Sequence, residues 1–155
     1  MQELKRILIA TDLSPASEPA LQMAAALAIR MDAGLFVLHV ASEKELDGLA
    51  RAHQPRHPVD LIYSKLEATV REQYRRVVPD EVRRFLHAEV LVVPGLPAEE
   101  IIRTAAMKEA DLIITGTHGR TGLRRILMGS VMERVLRGAP CPVLTVRPQE
   151  LREAA

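Results

Sequence analysis

The sequence has no tryptophan, and phenylalanine and tyrosine contribute only two residues each. Proteins that bind single-stranded nucleic acid stack the bases on aromatic side chains, so this scarcity argues against such a function. Basic and acidic residues nearly cancel, 21 against 20, which leaves a formal net charge of +1. That balance provides no broad electrostatic field to attract DNA or an anionic membrane. We therefore expect neither nucleic acid nor a membrane as a partner.

Cysteine occurs once, at Cys141. A lone cysteine excludes an internal disulfide and a cysteine-based zinc cluster, and it is consistent with a reducing compartment. The charged residues 1–6 show no signal-peptide pattern, and the apolar runs are far shorter than the roughly 20 residues of a membrane span. These observations predict a cytoplasmic location.

Short aliphatic runs are what the sequence does contain. Hydrophobic residues make up 48% of the 155 residues, a length typical of one domain with its own core. The runs lack polar alternation, which is typical of strands covered on both faces in a parallel sheet. Strands are predicted at residues 6–10, 35–40, 88–93, 112–115 and 143–146. We expect one domain over residues 1–148, followed by a tail at 149–155.

Helical patterns alternate with these strands. Ser14 and Pro15 have the types expected for the N-cap and first residue of a helix that reaches about Met31, and Gly34 is expected to close it. Further helices are predicted over residues 59–77, 97–109 and 130–137. The alternation predicts an α/β fold, an open parallel five-stranded sheet with helices on both faces.

Two stretches between these elements are less regular. The polar segment 41–58 is longer than an ordinary loop, so it is either partly helical or mobile. Pro79 should end the helix at 59–77, and residues 80–86 have the composition to add another helical turn.

The glycine-rich segment after the fourth strand is the most informative stretch. Gly116 and Gly119 follow that strand, and Gly129 and Ser130 stand where the last helix begins. Glycine lets the backbone approach an anion closely and adopts positive φ without penalty. Amides at a helix start point towards a ligand, and the helix dipole favours negative charge there. The segment predicts a phosphate-binding turn, with a plain chain-reversing turn as the alternative.

Other residues of this segment also have structural alternatives. Ser130 and Glu133 have the spacing of a capping box, so Ser130 caps the helix, contacts phosphate, or does both. His118 is either a phosphate contact or a simple turn residue. Arg120 and the two arginines that follow it either neutralise phosphate charge or form a solvated loop face. The spacing matches neither a Walker A loop nor the dinucleotide motif G-x-G-x-x-G.

The end of the first strand supplies a second candidate surface. Open α/β sheets bind ligands beyond the carboxyl ends of their strands, where the strand order reverses. If strands one and four are neighbours, Asp12 and Gly116 share that crevice. Asp12 can accept hydrogen bonds from ribose or hold Mg²⁺ through water, and its alternative role is a helix cap or turn former. Val40 offers an apolar wall for a base, whereas His39 is expected to be a satisfied sheet residue.

In the segments discussed above, and over nearly the whole chain, the sequence resembles the universal stress proteins of the UspA superfamily. The resemblance rests on Ile-Leu-Ile-Ala-Thr-Asp-Leu-Ser at residues 7–14, on Leu-His-Val at residues 38–40 and on the region from 113 to 146. It implies the strand order 3-2-1-4-5. It also implies a homodimer through the last strand, Val143–Val146, which is short and free of internal proline or charge. The alternative is that the C-terminal tail covers this edge.

The nucleotide motif of that family is G-x2-G-x9-G-[ST], which marks its ATP-binding subgroup, and this sequence matches it without departure. The resemblance implies an ATP site, with or without Mg²⁺, in which Gly119, Gly129 and Ser130 hold the phosphates and Gly116 shapes the turn. It implies that Asp12 contacts the ribose and that the residue at the end of the second strand lies by the adenine. The candidate nucleotide-binding residues are Ala10, Thr11, Asp12, Val40, Thr115, Gly116, His118, Gly119, Arg120, Gly129, Ser130 and Val131.

Three functions are consistent with these patterns. The favoured one is a nucleotide-binding regulatory or stress-response module. A slow ATP-hydrolysing enzyme is the second, although phosphoryl transfer needs a positioned water and usually a metal and base, and only Asp12 and His118 suit such roles. The third is a module that binds another phosphorylated ligand or a protein partner.

Overall fold

A computed structural model of the protein describes residues 3–52, 59–117 and 129–147. Its five strands form one sheet in which every pairing is parallel, in the order β3-β2-β1-β4-β5. The strands are β1 (Arg6–Ala10), β2 (Gly34–Ala41), β3 (Ala88–Pro94), β4 (Leu112–Gly116) and β5 (Val143–Val146). The predicted order 3-2-1-4-5 is confirmed, and each predicted strand is found with its ends shifted by no more than one residue.

Helices connect the strands and cover both faces of the sheet. They are α1 (Glu18–Met31), α2 (Glu43–Ala52), α3 (Val59–Val77), α4 (Asp80–Arg83), α5 (Pro97–Met107) and α6 (Ser130–Gly138). Helices α1 and α3 contribute to one apolar cluster, and α5 and α6 contribute to a second. The architecture is therefore the three-layered α/β sandwich that the alternating pattern predicts.

The central strand β1 shows why the predicted strands are continuously apolar. Ile7 and Ile9 belong to the cluster under α1 and α3, whereas Leu8 belongs to the cluster under α5 and α6. All three side chains are fully buried. Because successive side chains in a strand point to opposite faces, a strand covered on both sides needs an apolar residue at every position.

The entry into α1 and its end differ from the prediction. Residues Pro15–Ser17 form a separate 3-10 turn, and α1 begins at Glu18. Ser14 makes no side-chain capping bond, because its hydroxyl donates to an Asp12 carboxylate oxygen instead. Gly34 does not close α1: Asp32 adopts the left-handed conformation at the helix end, with φ 51°, and Gly34 already pairs within β2.

Three further boundaries refine the predictions. Segment 41–58 is helical over α2, and its residues 53–58 lie outside the described ranges. The turn predicted after Pro79 is α4. Helix α5 ends at Met107 rather than at residue 109, where a positive φ of 49° is incompatible with a continuing helix.

The two ends of the chain lie outside the described residues in part. Since the description ends at residue 147, the expected domain limit at 148 and the tail at 149–155 stay predictions. Within the described ranges, none of the helices combines the length and apolarity that a membrane span requires.

Candidate functional site

The candidate site lies where the connections from β1 leave the sheet. Strand β1 is flanked by β2 and β4, and Ala10 pairs with Leu38 on one side and Thr115 on the other. The connection that follows β1 leads to β2 on one side of it, whereas β4 lies on its other side. The strand order therefore reverses direction at β1. A crevice therefore opens at the carboxyl ends of these strands, which is the usual ligand position in open α/β sheets.

A pocket of about 390 Å³ occupies this crevice. Its size lies within the range of roughly 300–1,000 Å³ that is usual for small-molecule sites. All the described candidate residues line it: Ala10, Thr11, Asp12, Val40, Thr115, Gly116, Gly129, Ser130 and Val131. The structure thus brings together residues that are more than 100 positions apart in the sequence. His118, Gly119 and Arg120 lie outside the described residues.

Thr11 fixes one side of the pocket through a buried polar network. Its hydroxyl lies 2.7 Å from Gln73 Oε1 and 2.9 Å from the Ser17 hydroxyl, and it accepts from the Leu13 amide at 3.1 Å. Thr11, Ser17 and Gln73 are all at least 96% buried. Gln73 comes from α3, so this network ties the turn after β1 to a helix that does not line the pocket.

Asp12 shapes the same turn. Its Oδ1 accepts from the Ser14 amide at 3.0 Å and from the Ser14 hydroxyl at 2.6 Å, the arrangement of an Asx turn. Leu13 between them has a positive φ of 66°, an uncommon conformation that the side-chain bonds on either side stabilise. The turn-forming alternative for Asp12 is therefore correct. Asp12 also lines the pocket, so its part in the turn leaves it among the candidate ligand-binding residues.

The opposite side of the pocket is the start of α6. Gly129 is the N-cap, with φ −58° and ψ 154°, and Ser130 is the first helical residue. The predicted capping role of Ser130 is wrong, because the extended residue that precedes the helix is Gly129, which has no side chain to cap it. Glu133 donates its amide to the Gly129 carbonyl at 3.1 Å. No described side chain caps this end of α6.

Gly129 leaves room in front of the helix. A Cβ placed on Gly129 meets none of the described atoms within 4 Å. Since its φ and ψ suit any residue, conformation alone does not require glycine here. Because glycine has no side chain, nothing at this position covers the first amides of α6, and amides at a helix start are groups that a phosphate can bind.

An apolar wall faces these polar groups. Val40 and Ile101 are 9% and 5% exposed, and Pro97 at the start of α5 lies with them along the pocket. A wall of this kind suits the face of a base or another flat apolar group. Val40 was predicted from the sequence, whereas Pro97 and Ile101 were not, because the pattern of α5 shows only that its apolar residues face inward.

His39 and Glu45 complete the wall on the α2 side. His39 is 2% exposed, with Nδ1 2.9 Å from the Thr11 carbonyl oxygen and Nε2 3.1 Å from a Glu45 carboxylate oxygen. The prediction that His39 is a satisfied sheet residue is confirmed, but its second partner was not predicted. The sequence reasoning missed these lining residues: Ser17, Leu38, Ser42, Glu45, Pro97, Ile101, Thr117 and Met132.

Burial raises the pKa values of two titrating groups outside the pocket, Tyr74 and Cys141. Burial raises the pKa of the Tyr74 phenol, and nearby Arg83 partly offsets this. Burial and, to a lesser extent, Asp111 raise the pKa of the Cys141 thiol. Cys141 packs against the apolar cluster of α5 and α6, as expected for a small apolar residue rather than a nucleophile.

Comparison with known proteins identifies the family to which the chain belongs. Residues 3–147 match the Universal stress protein family, and the chain belongs to that family. Universal stress protein MJ0531 of Methanocaldococcus jannaschii is 39% identical over 145 residues, which cover 92% of this chain and 82% of the relative.

Solved structures extend the comparison. The structure of protein MJ0577 from the same organism has a TM-score of 0.75 and 29% identity, covering 96% of this chain and 99% of that one. A universal stress protein solved in complex with cAMP has a TM-score of 0.65 and 20% identity, covering 96% and 100%. The latter likeness concerns the fold, which is the five-stranded α/β fold described above.

Proposed function

We propose that this protein binds an adenine nucleotide, ATP, as a regulatory module of the universal stress protein family. The observation on which the proposal depends is the convergence at one pocket of the β1 end, the β4 end and the start of α6, where a Cβ placed on Gly129 meets none of the described atoms within 4 Å. A related fold is known in complex with cAMP, another adenine nucleotide. The complete G-x2-G-x9-G-[ST] motif supports a ligand with a longer phosphate chain than that of cAMP, such as ATP.

Each part of the pocket suits one part of the nucleotide. Asp12 is proposed to accept hydrogen bonds from the ribose hydroxyls, because it stands at the end of the central strand beside Thr11. Val40 would contact the adenine together with the apolar wall of α5. Ala10, Thr115 and Val131 would contact the ligand along the floor and the start of α6.

The phosphates are proposed to lie against the start of α6. Gly129 and Ser130 would present amides, and the Ser130 hydroxyl, which is not needed as a cap, would be available to donate. Gly116 ends β4 beside them. Gly119, His118 and Arg120 are proposed to complete the phosphate contacts, although they lie outside the described residues.

Any Mg²⁺ would enter with the polyphosphate. Among the described residues, no group of three or more histidine, cysteine, aspartate or glutamate side chains is placed to hold a metal ion. Mg²⁺ in nucleotide sites is commonly held by one or two carboxylates, phosphate oxygens and water. Asp12 is the residue we propose for a water-mediated contact, since Glu45 is already paired with His39.

The test is a ligand panel measured by calorimetry and thermal shift. ATP, ADP, AMP, cAMP and GTP are titrated into the full chain with and without Mg²⁺. Binding to the native state alone raises the unfolding free energy by about 2.7 kcal/mol at a hundredfold excess over Kd. We expect ATP to bind more tightly than GTP. Absence of heat and of any thermal shift with every ligand would refute the proposal, and ADP release measured in parallel would show whether bound ATP is hydrolysed.

We also propose a homodimer through β5. This strand is an edge of the sheet, paired with β4, and Leu144 on it is 36% exposed. An antiparallel copy across a twofold axis would satisfy its remaining amides. Light scattering should give twice the 17.2 kDa of one chain. Leu144→Lys should shift that mass towards the monomer, whereas Met107→Lys, on the exposed end of α5, should not. A monomeric wild-type chain would contradict this assembly.

A further inference from the structure

One wall of the pocket belongs to α2, a helix that has little apolar packing of its own. None of its residues is buried, and only Glu45, Leu46 and Leu49 are partly so. Its apolar contacts therefore contribute little to holding it against the sheet. Among the contacts of the described residues, the hydrogen bond between Glu45 and His39 is the polar one that joins α2 to a buried side chain of the sheet.

That contact is enclosed and directional. The Glu45 side chain is 13% exposed, and His39 beneath it is 2% exposed. The Thr11 carbonyl can only accept, so His39 Nδ1 donates to it, and Nε2 lies 3.1 Å from a Glu45 carboxylate oxygen, within hydrogen-bond distance. Removing one partner of such a pair leaves the other buried without compensation, which is costly.

The contact links three parts of the pocket. Glu45 lies on α2, His39 lies near the end of β2, and Thr11 follows β1 immediately before Asp12. Glu45, His39 and Thr11 all line the pocket. Ser42 supports the arrangement, because its hydroxyl accepts from the Glu45 amide at 3.3 Å as α2 begins. A change at Glu45 would therefore reach both the α2 wall and the turn that shapes Asp12.

We propose that Glu45 is a positioning residue of the nucleotide pocket, which acts through His39 to hold α2 as the wall beside the base and ribose. This inference rests on the proposed nucleotide-binding function and assigns to α2 a role in it. The proposed occupant of the walled region is the adenosine part of the nucleotide, since Val40 next to His39 belongs to the apolar wall of the pocket.

The test compares Glu45→Ala with Glu45→Gln in the full chain. Both variants remove the same charge, so any change in repulsion of the phosphates is equal in the two. Only glutamine can still form a hydrogen bond with the His39 ring. Glu43→Ala is the matched control, because Glu43 is an exposed acidic residue in the same first turn of α2.

Two measurements are made on each variant. Hydrogen exchange of the ligand-free protein reports whether residues 43–52 stay docked, and calorimetry reports ATP affinity. We expect Glu45→Ala to lower both the exchange protection of residues 43–52 and the ATP affinity by roughly tenfold. This is the size expected for the loss of a buried hydrogen bond to a charged group. In Glu45→Gln both quantities should stay within about threefold of the wild-type values. The ¹⁵N chemical shift of His39 Nε2 should change in both Glu45 variants, because both alter its hydrogen-bond partner.

A second variant separates docking from helix formation. Gly48 is an exposed residue of α2, and a Cβ there meets none of the described atoms within 4 Å. Gly48→Ala should therefore strengthen the helix without creating a new contact. Added to Glu45→Ala, it should restore helical content by circular dichroism but not ATP affinity. A double variant that binds ATP like the wild type would overturn the inference.

The remaining outcomes distinguish the two proposals. If the wild type binds ATP and Glu45→Ala binds it as tightly as Glu43→Ala does, the role of Glu45 is refuted and the nucleotide site stands. Equal affinities of Glu45→Ala and Glu45→Gln would also refute it. If the wild type binds no nucleotide, the proposed function fails and the nucleotide role of Glu45 fails with it, while hydrogen exchange still reports on the contact itself.

Discussion

The two sides of the pocket are built in opposite ways. On the β1 side, the turn after Thr11 is fixed by buried hydrogen bonds from α3 and by the Asx turn of Asp12. On the α6 side, Gly129 precedes the helix without a side-chain cap, and a Cβ placed on it meets none of the described atoms within 4 Å. The β1 side, which we call the closed side, holds its turn through hydrogen bonds within the protein. The α6 side, which we call the open side, begins a helix that no described side chain caps. The difference supports a division in which the closed side fixes the shape of the pocket and the proposed phosphate contacts lie on the open side.

The largest expected effect is on the open side, with Gly129→Asp. The backbone there suits any residue, and aspartate is a good N-cap, so the unfolding free energy should rise by a few tenths of a kcal/mol. The same carboxylate would occupy the phosphate position with like charge. We expect ATP affinity to fall by at least about 100-fold, or roughly 2.7 kcal/mol, in calorimetry.

Gly129→Ser serves as the control for that experiment. It adds a small neutral cap, so it should weaken binding less than Gly129→Asp does. Wild-type ATP affinity in the aspartate variant would show that phosphate does not lie against α6. The uncapped start of α6 would then have no part in nucleotide binding.

Thr11→Val should have the next largest effect, on the closed side. Valine keeps the shape of threonine but leaves the Gln73 and Ser17 groups without their buried partner, at a cost of about 1–3 kcal/mol in unfolding free energy. Urea denaturation measures this. Thr69→Val, at an exposed position of α3, is the control and should change stability by less than about 0.5 kcal/mol. Equal stabilities of the two variants would contradict a fixed β1 turn.

Asp12→Asn tests the residue that serves both turn and ligand. Asparagine retains an oxygen that can accept from Ser14, so the turn and the unfolding free energy should be nearly unchanged. The loss of charge-assisted bonds to ribose should weaken ATP binding by about tenfold. Asp12→Ala should lose both the turn and the binding. If Asp12→Asn binds ATP as the wild type does, Asp12 serves only the turn.

Ser130→Ala should have the smallest effect on the fold. A serine that caps its helix stabilises it by about 1 kcal/mol, but Ser130 is the first helical residue and not the cap. We expect a change in unfolding free energy below about 0.5 kcal/mol, together with weaker ATP binding through loss of a phosphate contact. A destabilisation near 1 kcal/mol would restore the capping interpretation.

Much of the fold could be predicted from the sequence because its signals are local. Runs such as residues 7–10 are apolar at every position, which is typical of a strand covered on both faces. Strand order is different, since it depends on which strands meet in space, and it came from the resemblance to a family. The glycine motif and Asp12 were predicted for the site because they follow strands directly.

The errors arise where two local arrangements compete for the same residue, and the omission arises where a contact joins two elements. Ser14 has the type of an N-cap, but its hydroxyl bonds to Asp12, two residues earlier. Ser130 and Glu133 have the spacing of a capping box, yet the backbone is already helical at Ser130, so Gly129 is the N-cap. Glu45 was missed because nothing in a polar segment reveals that one carboxylate reaches a buried histidine on a neighbouring strand.

Amide NMR shifts during an ATP titration of the wild-type chain test the central claim most directly. The account predicts the largest changes at Gly116, Gly129 and Ser130, with further changes at Asp12 and Val40, and little change in the α3 residues behind the Thr11 turn. Shifts that cluster away from the start of α6, or no shifts at saturating ATP, would contradict it.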